Sequence, residues 1–273
     1  MERTAHTAAS TNIQQSSTMK RCAYCNVASI KFTKEHIWPD NIIKKCIPLL
    51  TYNPRNDDFY EGDPVVKDVC EQCNNTHLSE IDVHLGNVFD RYFSNYIEAG
   101  QSTEFSYDYN MLVRGLLKIS YNSTRSTKNQ KQQKLLARFA KQILRGGAFP
   151  SVMVRLQIVT TSKAVTLIGH EVGALQPGVL RCAVVAYDGR FSNRFCIRLV
   201  GFRSYWFYLV IPYKSEPRHI WKELTQNIEN WVTPMGVQLD PTEKIISIPA
   251  DKTTWVTPTL LSKLSRGLEE LEL

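Results

Sequence analysis

The pattern of apolar and polar positions changes character twice along the chain. Between residues 21 and 70 the apolar runs are short and broken by Pro39, Pro48, Pro54 and Pro64, so only brief extended pieces are expected there. KFTKEHI reads as a strand or extended turn, and PVVKDVC as a second short strand. From Asn74 onward Leu78, Ile81, Leu85, Val88 and Phe89 recur at helical spacing, which predicts a long helix through NNTHLSEIDVHLGNVFDRYFSNYI. That helix is expected to begin at the CNN, with its Asn and Thr as caps. YNMLVRGLLKISYN predicts a further helix, STRSTKNQ a polar loop, and KQQKLLARFAKQILRGG a single helix stopped by its paired glycines. Beyond residue 150 the runs VMVRLQIV, AVTLIGHEV, CAVVAYDG, FCIRLV and SYWFYLVIPY read as strands. KSEPRHIWKELTQNIENWV predicts a helix from near Pro217, and the last dozen residues a short one.

This order predicts an α+β chain. A disordered tail over 1–20 precedes a small cysteine-rich unit over 21–103, a helical segment over 104–150 and a β-rich α+β domain over 151–273. Trp206, Phe207 and Tyr208 are expected in the core of that last domain. The polar N-terminus has no secretory signal and no apolar run is long enough for a membrane span, so a cytoplasmic location without membrane contact is expected.

Charge changes the picture more than composition does. Residues 1–103 carry 10 Lys/Arg against 13 Asp/Glu, a balance of −3, whereas residues 104–273 carry 23 against 13, a balance of +10. From Tyr109 to His170 there are eleven basic residues and no acid. A polyanionic partner is the natural inference, a solvated surface the plainer one. Lys131, Lys134, Arg138, Lys141 and Arg145 recur at intervals of 3 and 4, a basic stripe suited to nucleic-acid phosphates.

Four of the seven cysteines form two Cys-x-x-Cys pairs, Cys22 with Cys25 and Cys70 with Cys73. In a reducing compartment this pattern favours metal over disulfides, and four thiolates make a closed tetrahedral site for structural Zn2+. Such a site has no open position for chemistry. The 44 residues between the pairs exceed a plain zinc ribbon and carry TKEHIWPD. Cys46, Cys182 and Cys196 are expected to act as small apolar residues, and His84, His170 and His219 as ordinary structural or surface histidines.

A CxxC, an acid–His pair, then a CxxC followed at once by Asn resembles the HNH endonuclease family of ββα-metal nucleases, in particular its zinc-bearing subgroup similar to endonuclease VII. The match rests on Cys22, Cys25, Glu35, His36, Cys70, Cys73 and Asn74, with His77 one helical turn further on, and covers residues 21–85. The resemblance implies a zinc-stapled ββα-metal module whose His36 deprotonates a water as general base. It implies a catalytic divalent ion, Mg2+ or Mn2+, held by Glu35 and Asn74, with His77 as a further ligand or phosphate contact. The family's central Asn, which orients the base, has no clear counterpart here, and Asn53, Asn56 and Asp63 are the alternative candidates for its role. The substrate implied is DNA, RNA being chemically equivalent, and restriction or anti-phage defence is the setting the family suggests. A monomer with one site would nick, and double-strand cuts would need a homodimer. The rival expectation is a non-catalytic, zinc-stabilised DNA-binding or partner-binding protein.

Overall fold

Strand β1 (Phe32–His36) lies antiparallel to β4 (Val65–Cys70), with Phe32 opposite Cys70, His36 opposite Val65 and a bulge between Thr33 and Glu35. The computed structural model that shows this describes residues 20–28, 31–46, 50–53, 58–62, 64–165, 170–231 and 235–251. The tail expected over 1–20, apart from Lys20, lies outside the described residues, as do the short C-terminal helix, Asn56 and Asp63. Between the two strands the chain forms helix α1 (Asp40–Ile43), directly after Pro39, and the hairpin of β2 (Leu50–Asn53) with β3 (Asp58–Glu61).

From β4 the chain passes straight into a helical stretch over 71–93. It comprises α2 (Glu71–Cys73), a π-turn (Asn74–Leu78), α3 (Ser79–Val88) and a second π-turn (Phe89–Phe93). The helix therefore starts inside the second cysteine pair, and Asn74 lies within it rather than capping it. The reason is local: the Cys70 N–H already has an acceptor in the Cys22 sulfur at 3.4 Å, so Cys70 can serve as the N-cap and the helix can start within the second knuckle.

Strand β5 (Ser102–Ser106) leads to helix α4 (Tyr109–Ser126), whose first turn is capped by Asp108 accepting from the Met111 N–H at 2.9 Å. The first half of the polar STRSTKNQ segment extends this helix. Its Thr124 and Ser126 hydroxyls donate back to the carbonyls of Tyr121 and Ser123, which satisfies them inside the helix. KQQKLLARFAKQILR is not one helix. It divides into α5 (Gln130–Ala137) and α6 (Ala140–Arg145), and at the break the Arg138 guanidinium donates to the carbonyls of Pro212 and Tyr213 at 2.7 and 2.9 Å. Gly146, at φ +72°, ends α6 as the paired glycines predict.

Five strands then form an antiparallel sheet in the order β12 (Val237–Gln238), β6 (Met153–Ile158), β11 (Tyr205–Pro212), β10 (Phe195–Phe202) and β9 (Leu180–Val184). AVTLIGHEV, expected as one strand, instead contributes to a separate hairpin of β7 (Ser162–Val165) and β8 (Glu171–Leu175). Helix α7 (Arg218–Glu229) covers one face of the sheet through Ile220, Leu224 and Ile228, and β13 (Ile245–Pro249) pairs with β5. Strands β10 and β11 are buried on both faces, which is why their sequences read as long apolar runs, broken in β10 only by the buried Arg198 and by Gly201. Trp206, Phe207 and Tyr208 are all buried.

The second face of the sheet meets the cysteine-rich unit. Phe93 stacks on Phe202 with centroids 4.8 Å apart, and Trp38 meets the same ring edge-on at 5.3 Å. One continuous core thus runs from Cys22 to Ala250 across the boundaries expected near residues 103 and 150.

Candidate metal centre and the Glu35–His36 strand

The ligand sulfurs of Cys22, Cys25, Cys70 and Cys73 all lie within 4.8 Å of one another. A tetrahedral ion with metal–sulfur bonds of about 2.3 Å holds its sulfurs about 3.8 Å apart. The Cys25 and Cys70 sulfurs are 3.8 Å apart, so the donor set and its spacing fit zinc. Cys22, Cys70 and Cys73 are buried and Cys25 is half-buried. Burial raises the Cys22 thiol pKa, but N–H groups of Cys70, Cys25 and Tyr24 outweigh it and bring the thiol down to about 7. Burial and the neighbouring sulfurs push Cys73 the other way. Among the described residues this is the one cluster of three or more His, Cys, Asp or Glu side chains able to hold an ion.

Alternation along β1 turns Glu35 inward and leaves Lys34 exposed and His36 half-buried on the other side. What receives Glu35 is α4. The Glu35 carboxylate accepts from the Lys118 ammonium at 2.7 Å and from the Asn122 amide at 3.1 Å, and Lys118 also reaches Asp82 on α3 at 2.5 Å. Lys118 is fully buried and Glu35 is 2% exposed. Burial alone would lower the Lys118 pKa, but Asp82 and Glu35 outweigh it and raise the ammonium above its ordinary value.

The same helix grips the first cysteine knuckle. Asn122 also donates to the His36 carbonyl at 2.9 Å and accepts from the Tyr24 hydroxyl at 2.5 Å, while the Tyr121 hydroxyl donates to the Ala23 carbonyl at 3.2 Å. Arg125 lies over the rings of Tyr121 and Tyr24, at 4.1 and 5.0 Å, and pairs with Asp68 at 3.2 Å. Lys118, Tyr121, Asn122 and Arg125 are not marked by any motif in the sequence, and α4 lies outside the cysteine-rich unit expected over 21–103. A weaker signal is present: charged and hydrogen-bonding groups at intervals of three, one and three, following the apolar turns of the same helix.

Asn74, within the π-turn, donates to the Thr33 hydroxyl at 2.8 Å and the Lys34 carbonyl at 3.0 Å, tying the helix back to β1. A single π-turn inside an α-helix is a frequent mark of a functional position. His77, in the same turn, lines a groove of about 500 Å³ beside the cysteines, together with Lys31 and Arg145. The structure thus brings Asn74 to β1 and His77 to the cysteine groove. Glu35 points elsewhere, into the Lys118 network. Both contacts, from the Lys118 ammonium and the Asn122 amide, fall on Oε1 of Glu35, so that oxygen is engaged within the protein. Asp82, which no sequence motif marks, completes the Lys118 network, and burial raises its carboxyl pKa against the opposing pull of Lys118.

Much of the basic run is spent internally. Arg114 donates to the carbonyls of Ile143 and Leu144 at 2.8 and 2.9 Å, Lys118 and Arg125 serve the network, Arg138 holds the sheet end, and Arg155 is 4% exposed. Of the stripe, Lys131 lies over the Tyr213 ring at 4.4 Å, and Lys134, Lys141 and Arg145 are exposed on two different helices. His84, expected at the surface, is half-buried, its Nε2 without a partner and its pKa lowered by burial. Cys46 and Cys196 are buried, and Cys182 is half-buried against the Arg198 guanidinium. His170 and His219 are exposed.

No family model, curated protein or solved structure matches the chain. No helix among the described residues is long and apolar enough to cross a membrane.

Proposed function

We propose that this chain is an HNH-type endonuclease that hydrolyses DNA phosphodiester bonds, with His36 as general base. One observation carries the reading. His36 ends a strand that pairs with the strand leading into the second cysteine knuckle, and Asn74 of the following helix is hydrogen-bonded back to that same strand. This is the strand–strand–helix order that the EH and CNN motifs imply, with one cysteine pair ahead of the first strand and the other at the junction of the second strand with the helix. A half-buried imidazole at a strand end can take a proton from water near neutral pH. The exposed Lys34 beside it and Arg145 in the cysteine groove supply positive charge for phosphate, while Lys31 in that groove is paired with Glu71 at 2.6 Å. Glu35 serves in this reading as the anchor that fixes β1 on α4.

The test is nicking of supercoiled plasmid DNA in the presence of added Mg2+ or Mn2+. His36→Ala protein that keeps its zinc, fold and DNA binding should no longer nick. Equal cleavage by that variant, or none by the wild type with any divalent ion, overturns the proposal. Competition by RNA then settles which nucleic acid is preferred.

A second reading is favoured by the burial of Glu35 against Lys118. An acid so engaged is structural, and the chain is then a zinc-stapled nucleic-acid-binding protein. DNA affinity without cleavage is its signature.

A further inference from the structure

Away from the cysteines, a cleft of about 790 Å³ opens between the start of α7, the start of α4 and the loop entering β6. Its size is that of a small-molecule site. Two features of its lining stand apart from the rest of the surface. Arg218, His219 and Lys222 all reach it from the first turns of α7, and no acid lines it among the described residues. Arg218 and Lys222 are the two cations of the lining and His219 adds a ring N–H; all three are exposed, and no ion pair or hydrogen bond of their side chains is found among the described residues. That contrasts with Arg114, Lys118, Arg125 and Arg138, whose charges are satisfied within the fold. Helix α7 is twelve residues long, its first turn holds no acid and its N-cap, Pro217, offers no side-chain acceptor. The positive end of its dipole therefore adds to the same potential.

Beside the cations stand aromatic rings. Tyr109 and Trp221 are half-buried, and Phe149 is buried at the base of the cleft. Trp221 is held in place by Phe195, whose ring meets it edge-on at 5.0 Å. Rings held by the core next to exposed cations suit a flat aromatic group joined to an anion. Stacking on a base and charge-assisted bonds to a phosphate are the two interactions such a lining offers.

We infer that this cleft binds a nucleotide, the base against Trp221, Tyr109 and Phe149 and the phosphate against Arg218, His219 and Lys222. A free nucleotide and a nucleotide of a single strand share this chemistry. The site does not include His36, so it stands independently of the proposed hydrolysis.

Isothermal titration of the full-length protein distinguishes the sources. The probes are AMP, adenosine, inorganic phosphate and a short 5′-phosphorylated single-stranded oligodeoxynucleotide. AMP or the oligonucleotide should bind, and adenosine and phosphate should each bind roughly tenfold more weakly or worse. The Arg218→Gln/Lys222→Gln protein, altered only at exposed positions, should lose affinity by roughly tenfold or more. Trp221→Leu should weaken binding as well, and His36→Ala should not. Tighter binding of AMP identifies a free nucleotide, and tighter binding of the oligonucleotide, with the same dependence on Arg218 and Lys222, identifies a strand. The inference is overturned if neither nucleotide probe binds at millimolar concentration, or if adenosine binds as tightly as AMP. It is overturned equally if the double variant stays within about twofold of the wild type.

Discussion

Lys118 of α4 places its ammonium 2.7 Å from the carboxylate of Glu35 on β1, and the side chains are 0% and 3% exposed. This buried pair, joined by Asp82 at 2.5 Å, is what fastens the strand bearing His36 to the central helix. An ion pair so deep gains little net stability over apolar residues of the same size, but removing one partner is costly. It strands a charge where water cannot reach.

Lys118→Met should therefore destabilise the protein by about 3–5 kcal/mol, measured as the shift in urea unfolding. Adding Glu35→Gln and Asp82→Asn to that variant should restore part of the loss, since the stranded carboxylates go too. A triple variant no more stable than Lys118→Met would mean that the three groups do not act together.

Alkaline pH should reveal the same network. Although burial opposes it, Asp82 and Glu35 raise the Lys118 pKa above 10.5, so the folded state holds this proton more tightly than the unfolded chain does. The associated stability is complete below the unfolded value and is lost as pH rises through the folded one. Burial raises Tyr24 in the same direction, so it contributes to the same alkaline limb. The fall in urea midpoint above about pH 10.5 should be shallower in Lys118→Met and in Tyr24→Phe than in the wild type.

Metal content is the third check. The four-thiol geometry predicts one zinc per chain by elemental analysis. Chelation, or Cys73→Ser, should lower the thermal midpoint and release the start of the 71–93 helix, because binding energy at such a site is folding energy. Helical circular dichroism would then fall in step with zinc loss.

The basic residues should separate into two classes. Lys134, Lys141 and Arg145 are exposed, and replacing them by Gln should weaken DNA binding uniformly and flatten its salt slope by about one for each phosphate no longer neutralised. Arg138→Gln should instead cost about 1–3 kcal/mol of stability, since the carbonyls of Pro212 and Tyr213 lose their donor. Filter binding across salt concentrations, beside unfolding curves, distinguishes the two.

Local pattern carried much of the fold. KFTKEHI and PVVKDVC became a strand pair, and α7 begins just after Pro217 because proline suits the turn into a helix. The strands β10 and β11 were readable because burial on both faces leaves them almost wholly apolar, Arg198 being the one charged residue in the two. Two elements misled for identifiable reasons. AVTLIGHEV has the composition of one strand and folds as parts of two. The basic helix breaks where Arg138 finds carbonyls more than seventy residues away. A local pattern holds no record of such a partner.

The amino-acid sequence alone marked the four-cysteine cluster, because two Cys-x-x-Cys knuckles need only be brought together to form a site able to hold a metal ion. It also placed an acid and a histidine side by side on an extended segment. Which of the two faces solvent was decided by tertiary structure. Lys118 and Asn122, arriving from a helix more than eighty residues away, drew Glu35 into the core and left His36 on the opposite side of β1. Strand alternation fixes only that neighbouring side chains diverge; it takes the docked helix to say which way is inward.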